Sequence, residues 1–285
     1  MKRTPLKICD SAFAHTFTSS WDNKSKYIEW VRDFDKNADN DLIFFTDQNI
    51  FNFYNYRSKI KIGWLIEPVS VNPYSYSFVR ENYQKEGFFD YILTYDKELI
   101  ELNKNINSDI FQFFSHGGSW IEEEDFKIYD KNKMVSIIAS GKNQTKGHRL
   151  RHSSIEYYKQ KLDVMGHGYR SIESKKEGLC DYRYSVIIEN IKQNDYFTEK
   201  LIDCLSTGTV SIYWGTENIG NYFDERGIIK FDNISELGYI LDNIVSEKDY
   251  LSRMDAIKHN LEECKKYRIA EDYIFENFLV KNNLI

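Results

Sequence analysis

Between Tyr182 and Gly215 the chain reads YRYSVIIENIKQNDYFTEKLIDCLSTGTVSIYWG. An apolar run ends in a carboxylate and an amide, Glu189 and Asn190, and a short loop leads on to Thr198, Glu199 and Lys200. Thr198 has the chemistry of a helix N-cap. It places Glu199 and Lys200 in a first turn, where free backbone N–H groups and the helix dipole favour anions. A diphosphate docked there would be neutralised by Lys200, and Glu199 would accept two hydrogen bonds from a ribose diol. The same residues equally suit an ordinary helix start with an acidic first turn and an exposed lysine. A second concentration, KNQTKGHRLR, packs Lys142, Lys146, His148, Arg149 and Arg151 into ten residues after the run VSIIAS. Arg149 and Arg151 stand two apart at a helix start and so point in different directions, one able to enter a ligand cleft while the other stays outside. A solvated basic turn is the alternative.

Other motifs point away from familiar chemistries. Neither GxGxxG nor a P-loop occurs at a strand-to-helix turn, which removes the main support for a dehydrogenase or an NTPase. The HGG at His116 to Gly118 reads as a plain loop. DFD at Asp33 to Asp35 and DND at Asp39 to Asp41 match the letters of a metal-binding acidic pair, but they sit in a polar run that reads as a solvated turn. The six histidines form no HxH or HExxH pattern. Cys9, Cys180, Cys204 and Cys264 lie too far apart for zinc-type spacing, so no metal site and no disulfide framework is expected.

These residues need a scaffold to position them. At 285 residues and 41% hydrophobic composition the chain has material for two cores. Lys plus Arg is 38 and Asp plus Glu is 44, giving a net charge of −6 and arguing against nucleic acid or anionic lipid as a bulk partner. No apolar run approaches the roughly 20 residues needed to cross a bilayer, and MKRTPLKICDSAFAH lacks the apolar stretch of a secretory signal. A cytoplasmic protein is expected, with peripheral membrane association compatible.

Short β-rich runs alternate with helical patterns throughout. Strands are predicted at LKICD, DLIFFTD, KIGWLIE, FDYILTY and DIFQFF, with helices at KYIEWVRDF, YSFVRENYQ and KELIELN. After the acidic segment EEEDFKIYDKN a second series begins with VSIIAS. It continues through a helix over RLRHSSIEYYKQKL, strands at DVMG and YSVIIEN, a helix over FTEKLIDCLST, and strands at TVSIYW and GIIKF. The tail from ISELGYILDNI onward reads as helices. Strands separated by helices favour parallel sheets, so the fold class is α/β: two Rossmann-like domains, residues 1–128 and 129–285, facing a shared cleft, with a helical C-terminal tail in the second.

YRYSVIIEN, YFTEK and GTVSIYWG together resemble the donor-binding signature of family 10 glycosyltransferases, the α1,3/α1,4-fucosyltransferases. RLRHSSIEYYKQKLDVMG is similar to the family's stretch of paired arginines, helix and Val-Asp-Val-x-Gly strand, matching Arg149 and Arg151. WLIEP and FDYILTYD resemble its Trp-x-x-x-Glu-Ser-Pro and Phe-x-x-x-Leu-Thr-Tyr segments, and the residues before Trp64 are uncovered. Ile188 stands where the family has Phe, Ser211 where it has Pro, ASGKN where a Ser-Asn pair is common, and WLIEP is one residue shorter. The membrane anchor and terminal disulfides of animal members have no counterpart, which points to a bacterial or viral type.

The resemblance implies a GT-B architecture, with the acceptor bound by residues 1–128 and a GDP-sugar donor by residues 129–285. It implies neither an essential metal nor a cofactor beyond the GDP-sugar co-substrate. Arg149, Arg151, Asn190, Tyr196, Glu199 and Lys200 match the donor motif. Without a metal, the departing nucleoside diphosphate would be stabilised by Arg151 and Lys200 beside a helix N-terminus. An inverting transfer also needs a base, and Glu67, at the end of a predicted strand, suits this if desolvation raises its pKa; Asp47, ending DLIFFTD, is the next acid to consider. The expected activity is transfer of L-fucose from GDP-fucose to a hydroxyl of a glycan acceptor such as lipopolysaccharide or another surface polysaccharide. The alternatives are a GT-B enzyme using another nucleotide sugar and a non-catalytic glycan-binding relative.

Overall fold

A computed structural model of the chain describes residues 2–115 and 117–285, so His116 of the HGG segment lies outside the described residues. The chain divides into two compact units, Met1–Gly117 with Ile269–Ile285, and Gly118–Arg268.

The first unit carries a parallel sheet of β1 (Thr4–Cys9), β2 (Ile28–Val31), β3 (Asn40–Thr46), β4 (Ser58–Trp64), β5 (Tyr91–Thr94) and β6 (Phe111–Phe113), in the order β2-β1-β3-β4-β5-β6. Its connections include helices α1 (Pro73–Asn82), α2 (Lys97–Glu101) and α3 (Asn103–Ile106). β3 is buried at six of its seven positions, as expected of a parallel strand covered on both faces. One face packs Ile43, Phe45, Tyr76, Val79 and Ile92; the other packs Ile8, Trp30, Phe44, Trp64 and Phe114.

Two expectations are corrected here. KYIEWVRDF does not form a helix: Ile28–Val31 is edge strand β2, pairing with β1 from Thr4↔Ile28 to Lys7↔Val31. Ile28 and Trp30 are buried while Glu29 is exposed, the period of two that a strand imposes, and the apolar spacing is too short to distinguish this from a helix turn. The boundary between residues 128 and 129, with the tail in the second domain, also differs from the observed division. α10 (Ala270–Ile274) and one turn of π-helix over Phe275–Leu279 bury Ala270, Ile274, Phe278 and Leu279 in the first unit's core. Upstream of 128, Ile121 and Phe126 pack into the second. Hydrophobic periodicity marks a helix but does not say which sheet it covers.

The second unit is built on β7 (Lys133–Ile138), β8 (Asp163–Met165), β9 (Tyr182–Ile188), β10 (Val210–Trp214) and β11 (Ile228–Lys230), all parallel, in the order β11-β10-β9-β7-β8. The helices are α4 (Lys146–Tyr158), α5 (Lys176–Leu179), α6 (Glu199–Ser206), α7 (Ile234–Asn243), α8 (Glu247–Ser252) and α9 (Met254–Cys264). β10 is buried throughout and β9 nearly so, which accounts for the mainly apolar runs VSIYW and YSVII, each with a single serine. After β7 the chain passes to β8 on one side and returns to β9 on the other, so the strand order reverses between β7 and β9. In an open parallel sheet such a switch point, at the carboxyl ends of the strands, is where a crevice opens.

Candidate functional site

The turn after β7 leads into α4, whose N-cap Thr145 accepts from the His148 N–H (3.1 Å) while His148 Nδ1 accepts from the Thr145 N–H (3.2 Å). Burial, with Arg151, Lys142 and Lys200 nearby, pushes the His148 imidazole down to about 4, so the cap is neutral at pH 7. Gly147 brings this helix start against the end of β9. Its N–H donates to the Asn190 carbonyl (3.2 Å), and a Cβ there would sit 1.7 Å from the Glu189 carbonyl oxygen.

One turn further on, Arg151 is buried. Its Nε and Nη2 donate to the Ile188 carbonyl at 3.0 and 2.7 Å, and Nη2 also reaches Asn190 Oδ1 at 3.0 Å. Burial lowers the guanidinium from its ordinary value, against the pull of Glu189, Glu199 and Tyr196. Arg149, two residues earlier, is exposed and donates to the Gln144 carbonyl (3.2 Å). The structure therefore separates the two arginines as their spacing requires: Arg151 lies at the switch point and Arg149 outside it.

The loop after β9 is organised by Glu189, fully buried at the strand end. Its carboxylate accepts the Thr198 N–H (2.9 Å), the Thr198 hydroxyl (2.8 Å) and Lys200 Nζ (3.3 Å). Thr198 is the N-cap of α6, accepting from the Lys200 N–H at 3.4 Å and from Lys200 Nζ at 2.8 Å. Glu199 Oε1 lies 3.5 Å from both Lys200 Nζ and Lys175 Nζ. Burial alone would raise its carboxyl; Lys200, Lys175 and the Thr198 hydroxyl outweigh it and hold Glu199 at about 2. Lys175 also pairs with buried Asp203 at 2.6 Å and stacks over the Trp120 ring at 3.8 Å. Asp203 accepts in turn from the Ser119 hydroxyl (2.6 Å) and the Trp120 N–H (2.8 Å). Tyr196 is buried in the loop between Asn190 and Thr198.

The second unit thus brings together Arg151, Asn190, Tyr196, Glu199 and Lys200 of the sequence-derived set. Sequence reasoning passed over Glu189 as the organiser of the loop, although a carboxylate directly after the apolar stretch Val186–Ile188 was the signal. Nothing local marked Lys175 and Asp203. Chemically, this gathers one buried cation, Arg151, and two partly buried ones, Lys175 and Lys200, around a low-pKa carboxylate at a helix N-terminus, a combination suited to a diphosphate and a diol.

Glu67 lies in the first unit, just past β4, and is partly buried. Its N–H, and that of Ile66, donate to Asp47 Oδ1 at 3.2 and 2.9 Å, while its carbonyl accepts the Tyr76 hydroxyl at 3.1 Å. Both acids follow the carboxyl ends of adjacent strands, β3 and β4. Asp41 of the DND run pairs instead with Lys59 on the surface. Among the described residues no three His, Cys, Asp or Glu side chains are grouped to hold a metal ion, and no helix is long and apolar enough to cross a membrane.

The fold is similar to that of an α1,3-fucosyltransferase solved with GDP-fucose, with a TM-score of 0.53 and 16% identity over 98% of this chain and 92% of that one. It is also similar to Anabaena Alr3699/HepE in complex with UDP, with a TM-score of 0.58 and 10% identity over 86% and 78% of the two chains. Both likenesses are of fold: α/β with two parallel sheets, as in GT-B glycosyltransferases. By sequence, the chain is 29% identical over 77 residues to the alpha-(1,3)-fucosyltransferase FucT of Helicobacter pylori, a match spanning 27% of this chain and 16% of that relative. The model of the glycosyltransferase family 10 (fucosyltransferase) C-terminal region matches residues 128–279, a stretch that holds β7 to β11, Arg151 and the whole Glu189–Lys200 loop. With more than half of its residues in that match, the chain belongs to glycosyltransferase family 10, the fucosyltransferases.

Proposed function

We propose that the protein transfers L-fucose from GDP-fucose to a hydroxyl of a glycan acceptor, with inversion and without an essential metal, in the cytoplasm. The observation that carries the reading is the cation set at the β7/β9 switch point. Arg151 and Lys200 lie beside the α6 N-terminus, and Glu189 organises the loop that holds them in place. The diphosphate docks against Arg151, Lys200 and the first-turn amides, and Glu199, ionised at every physiological pH, receives the ribose diol. Asn190 and Tyr196 complete the donor contacts, with Arg149 at the outer rim. As the acceptor oxygen attacks the anomeric carbon, the bond to the diphosphate breaks and its electrons pass to the β-phosphate, where the fixed cations stabilise the growing charge. The acceptor proton goes to Glu67. The acceptor is a lipopolysaccharide or another surface polysaccharide.

Turnover over a panel of GDP- and UDP-linked sugars, run with and without EDTA, tests this. GDP-fucose should be the preferred donor, with EDTA leaving the rate unchanged. Preference for another nucleotide sugar would reassign the donor, and binding without turnover on any glycan would leave a non-catalytic relative. Glu67→Gln keeps the shape but cannot take a proton. It should leave GDP affinity nearly intact while cutting kcat by about 10² to 10⁴, the usual worth of general base catalysis. Near-normal turnover would pass the base role to another acid.

A further inference from the structure

We infer that Asp47 is the positioning residue for Glu67, fixing the turn that carries it and setting the charge beside it; this rests on the reading of Glu67 as the base. Asp47 is the first residue after β3 and has φ +43°, in the left-handed region that Asp and Asn adopt more readily than most residues. That conformation goes with a carboxylate that reaches across to the neighbouring strand end, where Oδ1 accepts both the Ile66 and the Glu67 N–H groups. Its own carbonyl accepts the Ser75 hydroxyl at 3.0 Å, and the next residue of α1, Tyr76, donates to the Glu67 carbonyl. Glu67 is therefore gripped on both sides of its backbone, by Asp47 at the amide and by α1 at the carbonyl, and α1 also grips Asp47.

Asp47 is 5% exposed, and its Oδ2 is buried without a hydrogen bond of acceptable geometry. A carboxylate needed only to hold two amides would be expected to find partners for both oxygens or to be replaced by a neutral acceptor. Burial, and then the charge of Glu67, push its carboxyl up to about 7, against the two amides and the Asn72 side chain. The surrounding groups are Glu67 from the turn after β4, Tyr76 from α1, and Tyr95 and Asp96 after β5, the last paired with Arg80. Repulsion between two carboxylates is mutual. An ionised Asp47 therefore favours proton uptake by Glu67.

Asp47→Asn keeps the amide acceptor and tolerates the left-handed backbone but removes the charge, whereas Asp47→Ala removes both. With GDP-fucose and a glycan acceptor, Asp47→Ala should lose kcat by about 10²-fold with GDP affinity unchanged, the scale of a 1 Å misplacement. Asp47→Asn should lose far less and move the acid limb of the kcat profile to lower pH. A readout independent of activity is the carbon-13 titration of the Asp47 carboxyl, which should shift to lower pH in folded Glu67→Gln. If Glu67→Gln is inactive but both Asp47 variants match the parent in rate and pH profile, this inference fails and the base assignment stands. If Glu67→Gln stays active, the base assignment itself fails. Loss in Asp47→Asn as deep as in Glu67→Gln would make Asp47 the proton acceptor and overturn its positioning role.

Discussion

Lys200 stands between two carboxylates, Glu189 at 3.3 Å and Glu199 at 3.5 Å, so much of its charge is neutralised within the protein. In the donor site we propose, a diphosphate competes with these carboxylates for Lys200, and Lys175, 3.5 Å from Glu199, is there to balance Glu199 when it does. Lys200→Ala should therefore weaken GDP binding in calorimetry by roughly 1–3 kcal/mol, the range for a charge-assisted contact. Unchanged affinity would put the diphosphate elsewhere. The same variant has a signature in acid. Glu199 falls from an ordinary value of 4.5 to about 2 on folding, so its contribution to stability is present above 4.5 and is lost as pH drops toward 2. Removing Lys200 takes away the first of the cations holding it down, so acid unfolding followed by circular dichroism should begin at higher pH. The Thr198 cap that puts Glu199 and Lys200 in the first turn of α6 was legible in the sequence because helix caps are local features. The Lys175–Asp203 pair joins residues 28 apart and was not, since only the folded unit brings them together.

At the scale of elements, the site depends on how closely α4 approaches the end of β9. In most exposed helix positions Gly→Ala stabilises by about 1 kcal/mol, because Ala restricts the unfolded backbone and has the higher helix propensity. At Gly147 the added Cβ would meet the Glu189 carbonyl oxygen at 1.7 Å, and that atom is backbone, which no rotamer change can move. Overpacking typically costs 1–3 kcal/mol, so the steric term should win. Gly147→Ala should lower the melting temperature and, by displacing Glu189 and Arg151, weaken GDP binding as well; a rise in melting temperature would show that α4 can slide at no cost. Most elements followed from periodicity and caps, including α4, α6 and the strands of both sheets other than β2. The stretch KYIEWVRDF did not, since four residues of edge strand carry one alternation, and pairing with β1 decides between strand and helix.

The division of the whole chain is set by residues far apart in sequence. The segment 269–285 follows the second unit yet fills the first: Ala270, Ile274, Phe278 and Leu279 pack among Trp30, Phe44, Trp64 and Phe114. Buried Glu271 accepts from the Ser19 N–H at 2.7 Å and from the Trp30 indole at 3.2 Å, and Phe275 stacks on Tyr27 with ring centroids 4.5 Å apart. Burying three large apolar side chains contributes about 1.5–3 kcal/mol each, so the segment supplies roughly 5–9 kcal/mol, comparable with the whole stability of a typical domain. A chain ending at Arg268 retains every residue of the second unit but leaves the first sheet with one face uncovered. It should show one cooperative thermal transition where the full chain has the folding of both units, lose turnover, and still bind GDP with an affinity within a few fold, because the proposed donor residues lie between Arg149 and Lys200. Calorimetric unfolding and GDP titration of the truncated chain measure both. Loss of GDP binding in a truncated chain that keeps its second-unit transition would mean that the first unit contributes directly to the nucleotide site.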